Sequence, residues 1–155
     1  MISNEYIVGN YVQNKCLVIK GSQRKAMVTL IEDLNLFQEY KLETFYLAVS
    51  IADNYLKRLA ISNQKAPCLA LLGVTCLFIA AKIEQHVVPS STNLINATHG
   101  AQFSSVDMHK LESLILYELD FDVRFVTPID LLSRFLKLMC VANSQAQEDA
   151  PSIIE

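Results

Sequence analysis

Five residues carry the chemistry this chain can offer: Arg24, Asp53, Leu71, Lys82 and Glu112. The four charged ones stand in or beside apolar runs with helical spacing, where an unpaired charge is costly. An arginine presents a fork of donors that suits a carboxylate, so Arg24 and Asp53 are candidates for an ion pair within the domain. Lys82 closes the apolar run Cys68–Ala81 and places three donors at the rim of the core. Glu112 sits among Leu111, Leu114 and Ile115 and can accept N–H groups. Two outcomes are open for Lys82 and Glu112: a salt bridge that staples two helices, or contact with a second protein. Leu71 reads as core.

Other chemistry finds no support. His86, His99 and His109 have no metal-ligand spacing, the cysteines Cys16, Cys68, Cys76 and Cys140 form no C-x-x-C pair, and no Gly-rich phosphate loop occurs. Ser, His and Asp residues are present, but nothing places a nucleophile. No catalytic residue, metal site or cofactor is expected, and the chain does not read as an enzyme.

Composition narrows the class further. The 155 residues are enough for one domain with a real core, and 52% of them are hydrophobic. Four glycines and four prolines leave little room for turns, which favours long helices. A net charge of −3 disfavours nucleic acid, whose partners present a basic face. The mild cluster of Lys15, Lys20, Arg24 and Lys25 reads as a solvated face. The run Cys68–Ala81 is too short to span a membrane and suits a buried helix. No secretory signal pattern opens the chain, and Cys68 and Cys76 read as small core residues, so a reducing intracellular setting, nucleus or cytoplasm, is expected.

Elements that would hold these residues follow from periodicity and caps. Residues 1–21, with Tyr6, Ile7, Tyr11 and Val12, form an N-terminal extension with a short amphipathic helix. Ser22 is a candidate N-cap for a first helix over 22–38, with Met27, Leu30, Ile31, Leu34 and Phe37 on its apolar face. A second helix spans 43–59. A third runs from Pro67, at its first turn, to Gln85; it is apolar on every face until Lys82, so it belongs at the centre. Gly73 within it implies close approach by a neighbouring helix. A short fourth helix covers 90–96. Ser104 and Asp107 form a capping-box-like start to a fifth, whose inward face is Leu111, Leu114, Ile115 and Leu119. Thr127-Pro128-Ile129-Asp130 starts a sixth that ends near Val141, and a polar tail over 142–155 frays. No strand alternation or repeat appears. The fold class is all-α: five helices around a buried central one, with a further helix appended over 126–141.

This succession resembles the cyclin box. The stretch from Arg24 through ETFYLAVSIADNYL resembles the first two helices of mitotic A/B-type cyclins, LLGVTCLFIAAKIE resembles the family's central helix, and DMHKLESLILYELDFDV is similar to its fifth helix and exit. The likeness covers about residues 22–125, and the family's five marker positions match the five residues named first. It implies that Arg24 and Asp53 tie the first two helices together. It also implies that Lys82 and Glu112 grip the backbone flanking the regulatory helix of a cyclin-dependent kinase, with Ile83, Leu116, Phe121 and Val123 as an apolar bed. The expected function is then a regulatory subunit that binds and activates such a kinase for Ser/Thr phosphorylation in cell-cycle control. The alternative is a cyclin-fold adaptor that activates no kinase. Neither nucleic acid nor membrane is expected as a partner.

Many cyclins also dock substrates or inhibitors on the first helix. The matching positions are Gln23, Ala26, Met27, Leu30 and Asp33, with Leu69 and Ala70 from the third helix. Members of the docking kind carry Met and Trp where this chain has Gln23 and Leu30, so the flat wall of an indole is missing. Two-box cyclins continue into a second box, and TPIDLLSRFLKLM resembles that box's first helix, which alone would leave Ile129, Leu132, Phe135 and Leu136 little covered.

Overall fold

A helix that is apolar all round must be covered all round, and the chain is arranged to do this. The computed structural model describes residues 19–62, 64–87, 89–98 and 103–148, with the backbone alone over 141–148. The helix expected around Tyr6 to Val12 lies outside these residues. The described part holds α1 (Gly21–Phe37), α2 (Leu42–Ile61), α3 (Leu69–Glu84), α4 (Ser91–Ala97), α5 (Ser105–Glu118) and α6 (Pro128–Glu148), with no strand. It divides into a unit that ends at Phe125 and another that begins at Val126.

In the first unit α3 is the axle. Every residue from Leu72 to Ala81 is buried, and α1, α2, α4 and α5 all pack on it. Thr75, fully buried, donates its hydroxyl to the Leu71 carbonyl at 2.7 Å, so no polar group is stranded there. Ile31, Ile51, Leu56, Leu72, Leu77 and Ile115 are among the largest fully enclosed side chains; each contributes roughly 1.5–3 kcal/mol of burial. At Gly73 an added Cβ would lie 3.2 Å from Ile31 Cγ1 and from Met27 Cγ, so the missing side chain is what lets α1 approach.

The boundaries depart from expectation in ways that have local causes. The N-cap of α1 is Lys20, not Ser22: the Gln23 side chain reaches back and accepts the Lys20 N–H at 2.9 Å. Helix α3 begins at Leu69 with Cys68 as N-cap, so Pro67 precedes the helix instead of opening it. Cys68 is accordingly exposed and not core, whereas Cys76 is fully buried and burial pushes its thiol far above the ordinary range. Leu71 is half-buried at the core's edge, Phe37 is exposed, and Leu114 points outward while Met108 takes the inner position. Ser104 and Asp107 form the reciprocal cap on α5, with Ser104 N–H to Asp107 Oδ2 at 3.0 Å and Asp107 N–H to Ser104 Oγ at 3.2 Å.

Both α1 and α5 end in Schellman turns built without glycine. After α1, Glu39 has φ 54°, Tyr40 N–H bonds the Asn35 carbonyl and Glu39 N–H bonds that of Leu36, each at 3.0 Å. The Asn35 amide adds weaker bonds to the Tyr40 and Lys41 carbonyls at 3.3 and 3.4 Å. After α5, Asp120 (φ 54°) and Phe121 (φ 59°) are both left-handed, and Phe121 N–H returns to the Leu116 carbonyl at 2.8 Å.

The second unit starts as its sequence dictates: Thr127 caps α6 with Pro128 as first residue, and Asp130 Oδ2 accepts the Thr127 N–H at 2.8 Å. These bonds hold the Asp130 carboxyl below its ordinary value. The helix continues to Glu148, past the end expected near Val141, because Ala142, Gln145, Ala146, Gln147 and Glu148 are strong helix formers with no glycine or proline between them. Leu132, Phe135 and Leu136 are exposed.

Two substitutions check this packing. Gly73→Val forces two methyl groups against Ile31 and Met27 and is expected to cost about 1–3 kcal/mol in urea unfolding; an unchanged midpoint would mean that α1 retreats freely. Glu39→Gly removes the left-handed strain and should add about 0.5–1 kcal/mol, after the entropy that glycine gives the unfolded chain. A lower midpoint would show that the turn is not strained.

Candidate partner-binding site

Lys82 is the first charge on α3 and lies in its last turn, where the helix carbonyls favour a cation. That end is fixed from outside. Gln85 donates its amide to the Thr44 hydroxyl at 2.7 Å, and Lys41 Nζ reaches the Glu84 carbonyl at 3.4 Å. Glu112, on the inner side of α5, meets Lys82 there: Lys82 Nζ donates to Glu112 Oε1. The lysine side chain is 35% exposed and the glutamate 11%, so the pair sits in the surface with its cation outward.

Two residues complete the cluster that charge and spacing alone had not singled out. The Phe78 ring lies 4.2 Å beneath Lys82 Nζ, a cation–π contact. His109 Nδ1 is 3.2 Å from Glu112 Oε2, and its ring stands edge-on to Phe78 at 5.6 Å. Phe78 is four residues before Lys82 and His109 three before Glu112, spacings that bring helical side chains together and that could have identified both.

The apolar positions expected around the pair differ in exposure. Ile83 follows Lys82, and Leu116 stands one turn beyond Glu112; both are half-buried, as is Val123 in the exit of α5. Phe121 is different: its ring is 71% exposed, held out by the left-handed turn.

The second charged pair faces the other way in role. Arg24 binds Asp53 in a fork, Nε to Oδ1 at 2.9 Å and an Nη to Oδ2 at 2.6 Å, joining α1 to α2. Asp53 is buried, so the guanidinium offsets the cost of enclosing a carboxylate. On the face of α1 proposed for docking, Gln23, Ala26 and Asp33 are exposed and Leu30, Leu69 and Ala70 half-buried. Met27 is 2% exposed and packs under Gly73, so it is core and not a docking surface. Among the described residues no cluster of His, Cys, Asp or Glu could hold a metal ion, and no helix is long and apolar enough to cross a membrane.

The Arg24–Asp53 pair predicts an asymmetric result. Arg24→Ala removes both forked bonds from a buried carboxylate and should cost about 3 kcal/mol in urea unfolding, whereas adding Asp53→Leu to it should recover part of that loss. Strict additivity of the two changes would mean that the pair is not coupled.

Comparison with known proteins identifies a family. Residues 2–124 match the family description "Cyclin, N-terminal domain". Cyclin-A1-2 of Arabidopsis thaliana is 32% identical over 147 residues, 94% of this chain and 31% of the relative. G2/mitotic-specific cyclin-A of Hydra viridissima is 32% identical over 129 residues, 82% of this chain and 29% of the relative. G2/mitotic-specific cyclin-1 of Saccharomyces cerevisiae is 38% identical over 95 residues, 61% of this chain and 19% of the relative. The chain thus spans less than a third of the length of these relatives. With an all-α unit wrapped around one buried helix, and a family match over most of its length, the chain belongs to the cyclin family.

Proposed function

We propose that this chain is a regulatory partner of a cyclin-dependent protein kinase and activates it in cell-cycle control. One observation supports this reading above the rest: a part-exposed lysine and a nearly buried carboxylate meet at the end of the central helix. Structural charge pairs are commonly either exposed and weak or enclosed and fixed. This one is accessible from one side, so its bonds can be exchanged for those of a partner.

The partner chemistry suits a helix. Glu112 accepts backbone N–H groups flanking the kinase's regulatory helix, and Lys82 donates to carbonyls. Ile83, Leu116, Phe121 and Val123 form the apolar bed. The cyclin supplies no reacting group. Phosphoryl transfer needs the glutamate of the kinase helix paired with the kinase's phosphate-binding lysine, and a protein that binds that arrangement better than others raises its population. Moving an equilibrium from 1:99 to 99:1 takes about 5.5 kcal/mol of differential binding. Two charge-assisted bonds give about 1.5–3 kcal/mol each and must first give up the bond they make to one another. The apolar bed supplies the remainder, and the charges set register. On this reading the protein works inside the cell, in nucleus or cytoplasm. The face of α1 formed by Gln23, Ala26, Leu30 and Asp33 is a secondary surface for substrates or inhibitors.

The test is a charge swap. Lys82→Glu with Glu112→Lys keeps an ion pair between α3 and α5 and so preserves the fold, but reverses both contacts to a partner. Wild-type chain should retain and activate a cyclin-dependent kinase from a panel of purified catalytic subunits, and the swapped chain should bind at least about tenfold more weakly. Equal binding by both would refute the assigned roles; retention of no kinase by either would favour an adaptor.

A further inference from the structure

The corner between α1 and α2 leaves three large apolar side chains in the open: Leu36 is 69% exposed, Phe37 70% and Leu42 52%. They stand at the last two positions of α1 and the first of α2. Single exposed apolar residues are ordinary, but a group of them marks a contact surface. The backbone that presents this group is tied down: Gln38, Glu39 and Tyr40 donate their N–H groups to the Leu34, Leu36 and Asn35 carbonyls, each at 3.0 Å.

The charges around the group are of one sign. Glu32 is four residues before Leu36 and Asp33 four before Phe37, so each apolar side chain has a carboxylate beside it on the same side of the helix. Both acids are exposed, as is Glu39 in the turn. Among the described residues no lysine or arginine pairs with any of the three, and the positions three and four away from Glu32 and Asp33 hold no cation. Lys41, in the same connection, directs its ammonium to the Glu84 carbonyl at 3.4 Å.

For folding alone this is a poor place for acids. A helix C-terminus carries partial negative charge and favours cations, yet α1 has no basic residue in its last turn and Glu39 directly after it. The side-chain oxygen of Asn35, buried within that last turn, likewise meets no donor among the described residues. A local rule that is broken without return inside the domain commonly marks a functional surface. This corner holds apolar area and acceptors, and few donors.

We infer that the α1–α2 corner is a docking surface for a basic, apolar segment of another protein. Leu36, Phe37 and Leu42 cover the apolar side chains of that segment, and Glu32, Asp33 and Glu39 receive its lysines or arginines through charge-assisted bonds. The same carboxylates repel an acidic segment, and they oppose a second copy that would bring its own corner to this one. The surface uses neither Lys82 nor Glu112 and does not depend on the kinase reading. Asp33 is shared with the face of α1 named above; Gln23, Ala26 and Leu30, the rest of that face, take no part.

The probe is a random peptide library displayed on phage and selected on the immobilised full chain. Recovered sequences are synthesised with a fluorescent label and titrated by anisotropy. They should combine lysine or arginine with large apolar residues. Two variants assign the place: Glu32→Lys with Glu39→Lys, and Leu36→Ser with Phe37→Ser. Each should weaken binding about tenfold or more. Added salt should weaken the wild-type complex and leave the charge variant's residual binding unchanged. All four positions are exposed, so the fold survives both changes, and the two lysines at the end of α1 should raise the urea midpoint rather than lower it. A charge-variant midpoint that falls together with affinity would make these acids structural and overturn the inference. A selection that yields acidic peptides, or none sensitive to both variants, would overturn it too. The charge swap of Lys82 and Glu112 should bind the same peptides as wild type, whatever it does to kinase binding; loss of the peptides there would place their site on α3 and α5 and refute the corner.

Discussion

Everything in the first unit depends on α3 having no polar side. A helix with one wet face can lie on a surface. A helix with none has to be enclosed, and only a ring of neighbours can enclose it. The positions of α1, α2, α4 and α5 are therefore set by a single segment, Leu72–Ala81, and by the notch at Gly73 that brings α1 close. The same constraint places the candidate site. The first charge after an enclosed run must emerge where the enclosure ends, and the nearest opposite charge there lies on the neighbouring helix. Lys82 and Glu112 thus occupy a seam between α3 and α5 as a consequence of how the core is covered.

The two ion pairs illustrate how burial divides similar chemistry. Arg24 and Asp53 join two helices through a bidentate fork with the acid enclosed, a geometry that resists rearrangement. Lys82 and Glu112 have one bond between them and an outward-facing cation, supported by an aromatic ring and shared with an imidazole. The first kind of pair is suited to holding a fold. The second is satisfied within the chain and stays open to solvent on one side.

The helices were legible because their signals are strong. An unbroken apolar run marks α3, the Ser104–Asp107 box marks α5, and Thr127-Pro128 marks α6. Misreadings cluster where a local choice turns on tertiary context. Leu114 and Phe37 have the spacing of inner residues, but their helices are covered on one side only at those points. Met27 has the spacing of the apolar face and also falls among the docking positions; at Gly73 α1 comes close, and Met27 is core. The turns after α1 and α5 carried no glycine to announce them, since Glu39 and Asp120 take up left-handed backbone that glycine would adopt at no cost. In the site, charge drew attention to Lys82 and Glu112. His109 was weighed only as a metal ligand and Phe78 not at all, although each stands at helical spacing from one of those charges.

The double left-handed turn at Asp120 and Phe121 has one more consequence. An aromatic ring on an ordinary loop samples many directions, and whatever docks on it must first silence that wandering. Here the main chain beneath the ring is already locked by its bond back to Leu116, so the entropy of arranging it was surrendered when the protein folded. Anything that covered this ring would find the backbone beneath it already set, and would lose less freedom in doing so.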